Sequence, residues 1–253
     1  MSNNDVEIID FGEIDLSGAT VIAGFPSIGL VSTIAANYLI DALNLKQIGS
    51  VKASEFPALS VVHTGEPLSP VRIYAGNPMQ QQKIVVFVSE FKPKPHLINH
   101  ISETIMNWVL QKKCKMLISP EGMVVEGKAA DEESVSDAYA IGSTVDARNL
   151  LVAKNIAQFK NGIIAGVSGV LLNMGKQQGF DVISILAEAH PNYPDAKAAA
   201  AAINIISLIV DADINVTPLY EESERIEQQL QKFHKQAKPM VSTTRAPQPS
   251  MYG

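Results

Sequence analysis

The chain has 253 residues, of which 46% are hydrophobic and 18% charged, with a net charge of −6. That size and balance suit one large α/β domain or two small ones with a substantial core, and the acidic sum argues against a general nucleic-acid binder. No cluster of Lys and Arg interleaved with aromatics appears anywhere along it.

The N-terminal MSNNDVEIID lacks a basic segment followed by an apolar one, so it is not read as a secretory signal. The longest apolar stretch, 198–210, is too short to span a bilayer and contains Asn204. The expectation is therefore a cytoplasmic protein without a membrane partner. Cys114 is the single cysteine, which excludes an intramolecular disulfide and a multi-cysteine zinc site. Its position at the entrance to an apolar run suggests a buried or half-buried structural thiol.

In chain order, short β-branched runs at 20–23, 84–88, 116–118 and 181–186 predict buried strands. Amphipathic helices are expected between them. One covers 27–43 and follows the first strand through a Gly24-Phe25-Pro26 turn. A second covers 97–111, with Leu97, Ile101, Ile105 and Trp108 at helical spacing, and an alanine-rich third covers 195–210. Residues 52–75 read as a hairpin or an antiparallel extension. Strand–helix alternation of this kind predicts an α/β fold with a mainly parallel mixed sheet flanked by helices.

The globular domain is expected over 1–218. A separate amphipathic helix is predicted over 219–237, its periodic part running from Tyr220 to Ala237. On it Ile226, Leu230, Phe233 and Ala237 form one narrow stripe, while Glu221 with Arg225 and Gln228 with Lys232 decorate the other faces. Such a stripe suits packing against a neighbour or a partner subunit. From Lys238 to Gly253 the chain reads KPMVSTTRAPQPSMYG, 16 residues with prolines at 239, 247 and 249. This composition cannot bury enough apolar surface to offset its ordering entropy, so a flexible tail is expected. It would reach about 50 Å extended and about 20–25 Å as a coil. It ends in Met251-Tyr252-Gly253, an apolar residue, a phenol and a carboxylate, three handles for a pocket. The plain alternative is that these residues fray, as most termini do.

The internal motifs are weaker. Gly24-Phe25-Pro26-Ser27-Ile28-Gly29 joins a strand to a helix, where backbone N–H groups cradle anions. It is neither GxGxxG nor a Walker loop. Close helix–sheet packing by the two glycines, with Ser27 as helix cap, is the preferred reading. Gly166-Val167-Ser168-Gly169 approaches a nucleophile elbow, but Val170 stands where a second glycine is needed. His96, His100 and Glu103 share a helix face, yet the neighbouring apolar positions turn that face to solvent, and no metal site is predicted. Glu188 and His190 precede a Pro191-Asn192-Tyr193-Pro194 turn, and Glu121 lies in Ser119-Pro120-Glu121-Gly122. Both are strand-end positions where α/β folds keep ligand sites. Ser27, Glu121, Glu188 and His190 are thus the candidate lining of a cleft, with no nucleophile–base set among them and no cofactor implied.

The segment from Ile22 to Val31 resembles the opening motif of the proteasome assembly chaperone family, in its archaeal PAC-two-like branch. The Ser54–Pro57 turn, the 85–89 strand, the glycine-rich 162–172 segment and Leu186–Ala189 follow in the same order, so that the resemblance covers about residues 5–211. The resemblance implies a fold similar to purine nucleoside phosphorylases, homo- or hetero-oligomers, and action on the 20S proteasome without catalysis. It also implies docking of a C-terminal hydrophobic–tyrosine–any-residue motif between proteasome α subunits. Met251, Tyr252 and Gly253 match that motif one for one. The expected function is a non-enzymatic, homo-oligomeric proteasome binder: assembly chaperone, activator or adaptor. The alternatives are a phosphorylase-like enzyme or small-molecule binder using the α/β cleft, and a scaffold that recruits a partner through the 220–237 helix.

Overall fold

The computed structural model describes residues 6–76, 83–124 and 137–223. Eight strands form one mixed sheet in the order β1-β3-β6-β7-β2-β8-β10-β9. Its centre is parallel: β2 (Thr20–Gly24) lies between β7 (Ile84–Ser89) and β8 (Met116–Met123), and β8 pairs onward with β10 (Val182–Glu188). Antiparallel strands extend both sides. They are β6 (Val71–Ala75), β3 (Lys46–Lys52) and β1 (Glu7–Asp10) on one flank and β9 (Ala138–Gly142) on the other. A small hairpin, β4 (Val61–His63) with β5 (Glu66–Leu68), stands apart. It turns at Thr64 and Gly65, both at positive φ, as a tight two-residue hairpin requires. The expected hairpin and antiparallel extension over 52–75 are both present.

Helices cover both faces, so β2 and β7 are buried at every position, which is why they read as continuous apolar runs. One core layer lies under α1 (Val31–Ala42), α3 (Val145–Ala153) and α5 (Ala196–Val210), the other under α2 (Pro95–Gln111) and α4 (Gly166–Gln178). In α5 the residues Ala198 to Ile203 are all buried, and their small side chains let the helix approach α1 and the sheet closely. In α2, Leu97, Ile101, Ile105 and Trp108 face the core as their spacing predicts, and the Trp108 ring meets Phe87 edge-on at 5.3 Å. Cys114 is buried, and burial pushes its thiol up to about 11, which leaves no reactive thiolate near neutral pH.

Two expected elements differ. The helix predicted from Ser27 begins at Val31, because Gly29 (φ 60) and Leu30 (φ 52) are left-handed and confine Ile28–Leu30 to a short 3₁₀ turn. The strand predicted over 116–118 runs on to Met123 through Pro120. Pro120 breaks nothing, because the even-numbered N–H groups of β8 point toward β2, and β2 pairs only as far as Ile118.

Residues 217–223 are helical, opened by the Asn215 side chain, which accepts from the Thr217 N–H at 3.0 Å. Leu219 is buried in the α1/α5 core layer with Tyr220 packed beside it. Among the described residues, no helix is long and apolar enough to cross a membrane.

Candidate functional site

Three connections converge at the C-terminal ends of the parallel strands: the 25–30 loop after β2, the end of β8 at Glu121–Met123, and the 189–195 loop after β10. They are tied by backbone. Ala189 N–H donates to the Met123 carbonyl at 2.9 Å, and Asp195 N–H donates to the Gly29 carbonyl at 2.8 Å. Two glycines make this closeness feasible. A Cβ on Gly122 would sit 2.1 Å from the Ile28 carbonyl oxygen, and one on Gly29 would meet Ala189, His190 and Asp195 at 3.1 Å.

Ser27 holds the first loop. Its hydroxyl oxygen accepts from Gly122 N–H at 3.3 Å and from Ser32 N–H in the first turn of α1 at 3.2 Å. Ser27 is therefore not the N-cap residue of α1, a position held by Leu30, but its side chain satisfies an N–H of that helix's first turn from outside it. The same bonds occupy donors that an anion at this helix start would use.

His190 is held inside its own loop. Its N–H donates to Asp195 Oδ2 at 2.9 Å, Asn192 N–H donates to its Nδ1 at 3.3 Å, and its ring stacks on Tyr193 at 3.9 Å. An accepting Nδ1 carries no proton, so the neutral ring has its proton on Nε2. Asp195 in turn caps α5 through Ala198 N–H at 2.9 Å. Glu188 is the last residue of β10, and its N–H donates to the Asp137 carbonyl at 2.9 Å.

Glu121 turns from this rim toward α4, where Ser168 Oγ donates to its Oε1. Burial pushes the Glu121 carboxyl up to about 7, while the Ser168 hydrogen bond and the charge of Lys92 pull it back. Ser168 also contacts the Ser119 hydroxyl. Both serines are 1% exposed. Ser168 does not stand on a nucleophile elbow: it sits buried in the first turn of α4, and its hydroxyl is engaged by the Glu121 carboxyl. On α2, His96 is engaged by Glu55 at 2.6 Å.

The topology therefore brings Ser27, Glu121, Glu188 and His190 to one edge of the sheet, but hydrogen bonding divides them. Ser27 serves the backbone, His190 its own loop, and Glu121 the serines beneath α4. The sequence drew attention to Ser168 only as a failed match to a nucleophile elbow, with nothing to announce its bond to Glu121, and Asp195 was legible only as the residue opening a helix. The 226, 230 and 233 stripe and the terminal Met251, Tyr252 and Gly253 lie outside the described residues.

Comparison with known proteins agrees with this architecture. An uncharacterized protein of Methanocaldococcus jannaschii is 28% identical over 253 residues, covering 97% of this chain and 98% of its own length. The crystal structure of Pyrococcus furiosus PbaA, an archaeal homolog of proteasome-assembly chaperone, superposes with a TM-score of 0.79 at 28% identity. The match covers 93% of this chain and 99% of PbaA. P. furiosus PbaB, an archaeal proteasome activator, shares the fold at a TM-score of 0.80 and 21% identity, covering 91% of this chain and 99% of its own. The PAC2 family model matches residues 21–234, most of the chain, and the chain belongs to the PAC2 family.

Proposed function

We propose that this protein is a non-enzymatic binder of the 20S proteasome in the cytoplasm, acting as an assembly chaperone, activator or adaptor. The observation that carries the reading is the likeness to PbaA over nearly the whole of both chains at 28% identity. The internal site favours it as well, since Ser27 and Ser168 are committed to holding loops and helices together.

The proposed contact is the terminal Met251-Tyr252-Gly253, docked between proteasome α subunits. Met251 fills an apolar spot, Tyr252 packs and hydrogen-bonds, and a terminal carboxylate on Gly253 meets a pocket lysine. Three residues bury little area, so one tail binds weakly. A homo-oligomer offering several tails to a ring of repeated pockets gains through effective concentration. The apolar stripe of Ile226, Leu230 and Phe233 is assigned to the subunit or partner contact that roots each tail.

Tyr252→Ala, and separately a short polar extension after Gly253, should each abolish capture of purified archaeal-type 20S particles while the unfolding midpoint stays unchanged. Capture by both variants at the level of the unaltered chain would refute tail docking. Loss of capture in Leu230→Asp, with the tail variants unaffected, would point to the helix as the contact.

A further inference from the structure

A second group of polar side chains lies beneath the rim, on the face of β8 and β10 turned to α4. Leu117 of β8 and Val182 of β10 belong to the core layer under α2 and α4. Side-chain alternation therefore puts Ser119 and Glu121 on that face, together with Ser184. Ser184 pairs in register with Ser119, one strand spacing of about 5 Å away. Ser119, Ser168 and Ser184 are at most 1% exposed.

The donors can be assigned by counting protons. Ser168 has one hydroxyl proton and gives it to Glu121, so its contact with Ser119 is one in which Ser119 donates. Ser119 then keeps accepting capacity, while the buried hydroxyl of Ser184, its register neighbour, makes no hydrogen bond among the described residues. Three groups form a chain, Ser119 to Ser168 to Glu121, with both hydroxyls directed at the carboxylate. A protonated Glu121 reverses this order. Its own O–H donates to Ser168, and Ser168 donates to Ser119.

We propose that Glu121 is a proton-operated latch between β8 and the first turn of α4, the direction of the hydroxyl chain following the gain or loss of one proton. The groups that set its balance come from each element around it. Lys92, in the connection after β7, favours the charged form, as does the N-terminal end of the α4 dipole. Glu188 lies on the same face of β10, two residues past Leu186, the register partner of Glu121. Lys176 sits in the last turn of α4, too far along to matter, and neither β2 nor the 3₁₀ turn brings a charge. Burial sets the midpoint near 7, in the range where cells change pH. The latch acts on a surface: the residues just before α4 include Ile163, 95% exposed.

The folded state holds this proton more tightly than the unfolded chain, whose carboxyl titrates near 4.5. Stability from the latch is thus full below about pH 4.5 and is lost as pH rises through about 7. The unfolding equilibrium constant of the intact chain should grow roughly 70-fold from pH 5 to pH 8 on this account alone. Glu121→Gln retains an acceptor for Ser168 but cannot ionise. Denaturant unfolding of both proteins at pH 5 and 8, with amide exchange at residues 163–169, should show the wild-type losing this factor and exchange protection relative to Glu121→Gln. Equal pH responses in the two proteins would overturn the proposal. If the variant does not fold, carboxyl-carbon NMR of the wild-type decides. A Glu121 midpoint near 7, raised further in Ser168→Ala, supports the latch, and a midpoint near 4.5 overturns it.

Discussion

Gly122 and Ser27 are the residues on which the rim depends, and each carries a test. A Cβ at position 122 would lie 2.1 Å from the Ile28 carbonyl, and because that atom is backbone no rotamer change relieves it. Gly122→Ala should therefore force the 25–30 loop away and cost about 1–3 kcal/mol, a Tm drop of several degrees for a domain of this size. Ser27→Ala leaves two backbone N–H groups without their acceptor and should cost about 1–3 kcal/mol. Thermal unfolding of the two variants checks both values. Values near zero would mean that the loop is not held by these contacts. At this scale the sequence was legible in part. A role for Ser27 at the helix start, and Gly24 and Gly29 as packing glycines, follow from a strand–turn–helix junction. The bond from Gly122 to Ser27 spans 95 residues, and no local pattern announces it. The same holds for Ser168 and Glu121, 47 residues apart.

Among the elements, Asp195 does most with one side chain. It caps α5 through Ala198 and fixes the preceding loop through His190. Asp195→Ala should lower stability by about 1–2 kcal/mol and release the His190–Tyr193 stack, visible as altered ring signals in proton NMR. Retained stability with an unchanged His190 environment would contradict this account of the loop. The long periodic helices and the continuous β2 and β7 runs were readable because burial on both faces leaves a simple apolar signal. The remainder of β8 was not, since Pro120 ordinarily ends a strand, and only the stopping point of β2 shows why it does not here. Strand β3 hides behind Lys46, Gln47, Lys52 and a register shift between Gln47 and Gly49. Helix α3 has only Ala147 and Leu151 buried, too sparse a stripe to stand out. The start of α4 shows in the sequence only as a near-match to a nucleophile elbow, because its first residue is the left-handed Gly166 (φ 75) and Gly169 and Gly175 interrupt its apolar stripe.

For the whole molecule, the α/β architecture followed from alternation of strands and helices. The order of the strands needed the structure, because pairing across the sheet is set by tertiary packing. Family membership rests on the match over residues 21–234, and the proteasome reading rests in turn on the likeness to PbaA. In that reading the internal rim is architecture that displays a binding element elsewhere, and the binding element is the terminal tripeptide. The direct test is binding of purified 20S proteasome by the intact chain and by a chain ending at Ser250, measured at equal concentration and low salt. The account predicts binding by the intact chain, loss of at least ten-fold in affinity on truncation (about 1.4 kcal/mol), and the same unfolding midpoint for both. Equal affinity of the two chains would contradict it.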